Sequence, residues 1–172
     1  MPPQPAPAAA PCKVERSPVH GNGVFATRPI DAGERIIEYT GQRIDWPEAL
    51  RRTAAAGGPV NHTFYFSLAD GQVIDGGDAG NDARWINHAC GPNCEAYEDN
   101  GKVFIHALRD IDAGEELNYN YALVYEERHT AAVKQAFACL CGTAECQGTM
   151  LAPKKRKSRA RLAAIPVAVA DS

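Results

Sequence analysis

The sequence predicts a mainly β domain with short helices, and three observations carry that expectation. Between Cys12 and about Leu151, apolar residues come in short bursts broken every eight to twelve residues by Gly, Asn, Asp or Pro, the rhythm of a β-rich fold. Only two segments, Trp46–Ala56 and Tyr125–Phe137, are rich in Ala, Glu, Arg and Leu as helices are. The chain has 172 residues, enough for one globular unit that buries roughly 70% of its unfolded surface and needs no disulfide scaffold.

Five of the 12 prolines fall within Pro2 to Pro11, interleaved with Ala, so residues 1–11 read as a flexible arm. The candidate strands follow: Gly23-Val24-Phe25-Ala26, Arg35-Ile36-Ile37-Glu38-Tyr39, Thr63-Phe64-Tyr65-Phe66-Ser67-Leu68, Gln72-Val73-Ile74-Asp75 and Lys102-Val103-Phe104-Ile105-His106-Ala107. Pro47 suits the first turn of the helix expected over Trp46–Ala56. Arg84-Trp85-Ile86 reads as an apolar strand running into the polar turn Asn87–Cys94. Two segments share one form, Ala26–Glu34 and Leu108–Glu116: a strand end, a turn with Gly at its exit (Gly33, Gly114), then a new strand. They are paired turns, not a repeat architecture.

Charge is unevenly spread. Residues 1–152 carry 12 Lys and Arg against 20 Asp and Glu, a net of −8, whereas residues 153–172 carry six against one, a net of +5. The acidic body favours a cationic partner over phosphates. No stretch approaches the ~18 apolar residues of a membrane span, and the N-terminus lacks the basic start and apolar core of a signal peptide. A reducing cytosol is the expected setting, where clustered thiols hold metal more often than they pair.

Four segments carry chemistry. Cys139-Leu140-Cys141-Gly142-Thr143-Ala144-Glu145-Cys146 places three thiols in eight residues. A tetrahedral zinc site wants a fourth, for which Cys90 and Cys94 are both candidates; the alternative is a set of buried, unliganded cysteines. Cys12 reads as a bystander thiol in the arm. Asn87-His88 lies just before these cysteines, although His88 alone reads equally as a satisfied buried histidine. In Gly114-Glu115-Glu116-Leu117-Asn118-Tyr119-Asn120-Tyr121, alternation sets Tyr119 and Tyr121 on one side of a strand. His20-Gly21-Asn22-Gly23 allows close backbone approach to a ligand, but its spacing matches neither phosphate-binding glycine motif.

In this order the segments resemble the SET-domain protein-lysine methyltransferases that carry a zinc-binding post-SET tail. The resemblance rests on Gly21–Ala26, Glu38-Tyr39-Thr40-Gly41, Ile74-Asp75-Gly76, Gly80–Cys90, Gly114–Tyr121 and Cys139-x-Cys141-x4-Cys146, and covers about Val14 to Met150. It implies small β-sheets around a pseudoknot, with a SET domain over 12–125, a linker helix and post-SET zinc motif over 126–151, and a basic disordered tail over 152–172. It also implies S-adenosylmethionine as co-substrate, contacted by His20, Gly21, Asn22, Gly23, Phe64 or its neighbour Tyr65, Arg84, Asn87, His88, Tyr121 and Leu140, the last against adenine. One structural zinc would be held by Cys90, rather than Cys94, with Cys139, Cys141 and Cys146. Tyr121 matches the catalytic tyrosine and Tyr39 a second channel phenol. Tyr119 stands where Phe or Tyr influences product state, which implies mainly monomethylation with some dimethylation.

Three positions depart from the pattern: Asn120 for Asp, Ala89 for Ser and His20 for a basic residue. None removes a group the chemistry needs. The resemblance points to a small, Ala-rich bacterial protein acting on a lysine-bearing basic protein such as a histone, in the cytoplasm or, as an exported effector, in a host nucleus. It leaves the oligomeric state open. The rival reading is a chromatin or nucleic-acid binding protein that uses the basic tail, with an inactive SET scaffold.

Overall fold

Three small sheets carry the core. The first has the order β1 (Cys12–Arg16), β2 (Asn22–Ala26), β10 (Glu116–Tyr119), β7 (Asn87–His88). The second joins β3 (Arg35–Tyr39), β9 (Lys102–Ala107) and β8 (Cys94–Asp99), and the third β4 (Gln42–Ile44), β6 (Val73–Asp75) and β5 (Tyr65–Ser67). This is a computed structural model, and it describes residues 9–57 and 64–154. Most of the expected arm, and the expected tail from residue 155 onward, lie outside the described residues.

Alternation fixes which side of each strand is buried. In β9, Val103, Ile105 and Ala107 are buried while Lys102, Phe104 and His106 face outward. The inner residues meet Val24, Ile30, Ile74, Ile86, Ile111 and Leu117 in one cluster. Cys12 is part of it. Far from belonging to the arm, Cys12 opens β1 opposite Ala26 and is buried, because a small apolar thiol suits a position facing Ala26 better than solvent does.

The helix α1 spans Trp46–Ala56, as expected. Asp45 caps it by accepting from the Glu48 amide at 2.9 Å, Pro47 occupies the first turn, and Gly57 closes it with φ of 61°. Arg52 then ties the helix to the sheet, donating to Asp75 Oδ2 at 2.8 Å and to Glu48 Oε1 at 2.7 Å. The second helix, α2, is shorter than expected and covers only Ala131–Ala136. Thr130 sets its start, since its hydroxyl accepts from the Val133 amide at 3.2 Å, a cap that residues 125–129 cannot supply. Tyr125, Val133, Phe137 and Leu151 form a small separate core around it.

A second departure concerns Arg84-Trp85-Ile86. Residues Asp82–Trp85 form a 3₁₀ helix, not a strand, because the Asn81 side chain accepts from the Ala83 amide and caps the turn. The paired turns obey an unforeseen local two-fold relation. Ile30 and Ile111 exchange both backbone hydrogen bonds at 2.9 Å; Gly33 N donates to Ala107 O at 2.7 Å and Gly114 N to Ala26 O at 2.8 Å. Each turn carries the same clasp, Arg28 on Glu34 at 2.5 Å and Arg109 on Glu115 at 2.9 Å.

Two glycines allow a contrast. Gly33 has φ of +82° with nothing near a notional Cβ, whereas a Cβ on Gly80 would lie 2.0 Å from the Gly76 carbonyl oxygen. Gly33→Ala should cost only the left-handed backbone strain, ~1–2 kcal/mol. Gly80→Ala should cost clearly more, with a larger fall in thermal unfolding temperature; equal falls would contradict the packing described.

Candidate active site

The parallel pairing of β10 with β7 aligns Asn118 with Asn87 and Tyr119 with His88. It brings three chemistry-bearing segments together. Asn87 Nδ2 donates to Asn22 O at 2.9 Å, to His20 O at 3.3 Å and to Glu116 Oε1 at 2.8 Å. The other carboxylate oxygen of Glu116 accepts from Ser17 Oγ at 3.0 Å. Gly23 must be glycine here, because a Cβ would fall 2.3 Å from Glu116 Oε1. Gly21 turns the loop with φ of +52°. The result is an open backbone rim, residues 20–23, braced from beneath by an amide and a carboxylate.

Beside this rim runs a row of rings. Ring centroids lie 5.5 Å apart for Tyr39 and Phe66, 6.4 Å for Phe66 and Tyr119, 4.9 Å for Tyr119 and Tyr121, and 5.3 Å for Tyr121 and His88. Two phenols are anchored as donors to main-chain carbonyls: Tyr121 Oη to Ile86 O at 2.5 Å and Tyr39 Oη to Phe64 O at 2.6 Å. Burial raises the pKa of Tyr39, Tyr119 and Tyr121 above the ordinary phenol value. All three therefore stay protonated at neutral pH. With its proton committed, each anchored oxygen keeps lone pairs free to accept from a guest.

His88 joins this row to the cysteines. Its Nδ1 accepts from the Tyr121 amide at 3.1 Å, and its Nε2 lies 3.4 Å from Cys90 Sγ. The first contact needs an unprotonated Nδ1, which leaves the proton on Nε2, pointing at sulfur. Burial pushes the His88 pKa down to about 4, so the ring is neutral and holds this tautomer.

Cys90, Cys139, Cys141 and Cys146 place their sulfurs within 4.8 Å of one another. Tetrahedral bonds of ~2.3 Å from sulfur to zinc require sulfurs ~3.8 Å apart, and Cys90 and Cys139 stand at 3.7 Å. The Gln147 amide donates to Cys90 and the Cys141 amide to Cys139, both at 3.4 Å, which would stabilise thiolate charge. The quartet thus fits a thiophilic ion with all four positions filled. Cys94 takes no part. It is fully buried at the start of β8, opposite Ala107, and burial pushes its thiol up to about 12.

This combination, a segment ending in Asn-His-x-Cys paired in parallel with a Glu-Leu-x-Tyr strand, decides the family. The profile of the SET domain matches residues 21–122. The chain belongs to the SET-domain family. Its fold is that family's, with β10 set between β2 and β7. This SET domain is 38%, 39% and 37% identical over 143 residues, 80% of the chain, to H3 lysine-4 specific histone-lysine N-methyltransferases of Candida albicans, Eremothecium gossypii and Saccharomyces cerevisiae. It spans only 13%, 14% and 13% of their respective lengths. Among solved structures it is similar to an autoinhibited ctPRC2 bound to S-adenosylmethionine, with 36% identity and a TM-score of 0.61 over 66% of this chain and 15% of that one. A humanized mutant of the Chaetomium thermophilum Polycomb Repressive Complex 2 bound to an inhibitor aligns with a TM-score of 0.58 at 36% identity, over the same shares of the two chains.

The residues singled out in the sequence fall into two groups in this SET domain. Asn87, His88, Tyr121 and the 20–23 rim meet directly, while Tyr39 and Tyr119 extend the same row of rings. Arg84 and Phe64 sit together farther along: the guanidinium lies 5.9 Å from the Phe64 ring centroid and donates to Gly76 O at 3.3 Å, and Phe64 packs edge-on against Trp85 at 5.0 Å. Tyr65 points the other way and donates to Ala49 O in α1 at 3.3 Å. Leu140 stands 65% exposed beside the cysteines, an apolar surface available to a guest.

Sequence reasoning passed over Phe66, Glu116, Ser17 and Asn81. Alternation from Phe64 would have found Phe66. Asn81 pins the Tyr39 strand by donating to Glu38 O at 2.7 Å; its signal is an Asn just before a short helix.

Thiol labelling tests the quartet independently of activity. In metal-free protein, iodoacetamide should modify the exposed Cys146 and the part-buried Cys90 and Cys141 in the native state, and the buried Cys12, Cys94 and Cys139 only after denaturation. Adding a zinc salt should protect Cys90, Cys141 and Cys146. Labelling of Cys94 ahead of Cys146, read by peptide mapping, would contradict the arrangement.

Proposed function

We propose that this SET domain transfers a methyl group from S-adenosylmethionine to the ε-amine of a lysine in a basic protein of the histone type. One observation carries the reading: two phenols that cannot ionise and whose protons are already committed to Ile86 O and Phe64 O flank one row of rings. Such oxygens are acceptors held in place, suited to align a cationic guest and unsuited to act as bases. The printed names of the fungal relatives and the S-adenosylmethionine bound in ctPRC2 support the same chemistry.

When bound, the co-substrate supplies an electrophilic sulfonium methyl. The chain's part is positional. Gly21, Asn22 and Gly23 offer main-chain groups at the rim, held there by Asn87. Neutral His88 adds no positive charge beside a sulfonium, and the Glu116 carboxylate favours a cation nearby. Leu140 offers apolar cover for the adenine end, with Phe64 and Arg84 along the wall.

The lysine must arrive neutral, against an ordinary pKa of ~10.4. Desolvation between Tyr39, Phe66 and Tyr119 favours the neutral amine, so the proton leaves to solvent and no dedicated base is needed. Tyr121 Oη accepts weak C–H···O contacts from the methyl group and so fixes its direction. Orientation of this kind supplies ~7–11 kcal/mol in well-aligned reactions.

Cys90, Cys139, Cys141 and Cys146 would hold one zinc ion with no open position, a structural role that ties the 139–146 segment to the end of β7. Loss of the ion would free that segment and, through Cys90 and His88, loosen the Tyr121 amide.

Methyl transfer from labelled S-adenosylmethionine to histones tests the reading. Tyr121→Phe should lower turnover by roughly 100-fold, the effect of slight misplacement at a reacting centre, with co-substrate affinity by calorimetry little changed. Absence of transfer to any basic protein would remove the proposal. Product state is a separate expectation. Buried Tyr119, its ring 4.9 Å from that of Tyr121, limits the room around the amine and favours mainly monomethylation with some dimethylation. Mass spectrometry should show Tyr119→Phe raising the methylation state, and predominant trimethyllysine from the unmodified chain would refute the assignment.

A further inference from the structure

Glu34, Glu48 and Glu115 each pair with an arginine. Glu116 does not. Its half-buried carboxylate accepts from two neutral donors, Ser17 Oγ at 3.0 Å and Asn87 Nδ2 at 2.8 Å. The direction of both bonds is fixed by what lies beyond them. Ser17 Oγ accepts from the Val19 amide at 3.0 Å and from the His20 amide at 3.3 Å, which uses both lone pairs of the hydroxyl and leaves its proton to donate. Asn87 Nδ2 also faces the carbonyl oxygens of His20 and Asn22, so turning that amide over would set oxygen against oxygen. Glu116 must therefore accept at both oxygens. A carboxylate meets that demand and a neutral carboxamide does not.

The charge so held lies directly under the rim. A Cβ on Gly23 would fall 2.3 Å from Glu116 Oε1. Asn87 Nδ2 bridges the same oxygen to the Asn22 carbonyl, so any atom hydrogen-bonded to that carbonyl stands within ~9 Å of the carboxylate. Glu116 also acts on the Tyr121 hydroxyl, where it is the next cause after burial that keeps the phenol protonated. One fixed negative charge thus reaches both the rim and the catalytic phenol.

We infer that Glu116 is a specificity-determining residue, whose charge makes the site distinguish a sulfonium co-substrate from the neutral thioether that methyl transfer leaves behind. The inference rests on the methyltransferase reading above. The two molecules share the adenosine and the amino-acid end, so main-chain groups at the rim and the apolar cover of Leu140 hold them alike. They differ by one methyl group and one positive charge. As the lysine nitrogen's lone pair forms the new bond, its proton already lost to solvent, the sulfur–methyl bond breaks with its electrons staying on sulfur. The attraction to Glu116 goes with the charge. The spent molecule loses that part of its hold, and exchange for a fresh one is favoured.

The test measures binding of S-adenosylmethionine and S-adenosylhomocysteine to the full chain by calorimetry, for the unmodified protein, Ser17→Ala, Glu116→Gln and the double variant. In Glu116→Gln the new carboxamide sets its N–H groups against a hydroxyl whose lone pairs are already used. The double variant removes that conflict and keeps the loss of charge. In both Gln variants the ratio of the two dissociation constants should shift against S-adenosylmethionine by roughly 5–10-fold, the order for one charge ~9 Å away in a partly solvated site. In Ser17→Ala the ratio should stay that of the unmodified chain. A merely structural brace would weaken both ligands equally and leave the ratio unmoved. An unmoved ratio in the double variant, or failure of both Gln variants to fold, would overturn this inference and leave the function standing. Binding of neither molecule by the unmodified chain would overturn both.

Discussion

The parallel register of β7 and β10 is the constraint on which the site depends. Two short strands, neither longer than four residues, set His88 beside Tyr119 and leave the next residues to do separate jobs. Tyr121 turns back so that its amide meets His88 and its hydroxyl meets Ile86. Cys90 continues outward to the other three cysteines. Asn87 faces the 20–23 rim, with Glu116 beneath it. A slip of one residue would exchange the buried and open faces of β10, placing Asn118 among the rings and Tyr119 against solvent. Strand β10 is fastened at Asn118 as well, since the Asn93 side chain accepts from the Asn118 amide and the Asn118 side chain from the Asn93 amide, each at 2.9 Å.

Burial is the second theme, and it works by removing options. A phenol that cannot ionise and an imidazole that cannot take a proton at neutral pH have no acid–base role left. What they keep is fixed direction. The chemistry proposed for the site is a displacement between two bound partners, and for it the neutral states would be an advantage, because an added charge would compete with a sulfonium or attract water into the row of rings.

Much of this was legible in the sequence where the signal was local. Strand alternation, the Asp45 and Pro47 start of α1, and the spacing of Cys139, Cys141 and Cys146 are written in consecutive residues. What escaped was set by distant partners or by small caps. Arg84-Trp85-Ile86 is apolar enough for a strand, and only the Asn81 cap makes it a helix. The helix expected from Tyr125 begins late because Thr130, not composition, sets its start. Cys12 looked like part of a Pro-rich arm because its partner, Ala26, is fourteen residues away. Glu116 shows the limit best: nothing local distinguishes a carboxylate that braces Asn87 and Ser17 from one that meets water.

The two-fold turns have a consequence for how the protein comes into being. Ile30 exchanges hydrogen bonds with Ile111, and β2 pairs with β10 across some ninety residues of chain. On a ribosome, the N-terminal strands therefore emerge long before the residues that complete their sheet. Few contacts reward early order, and loop closure over such separations is slow. The brace beneath the 20–23 rim, although the rim lies near the start of the chain, is complete only once Glu116 has been made. Folding of the first quarter of this protein is thus coupled to synthesis of the third, and a truncated product would expose the β2 edge to pairing with other chains.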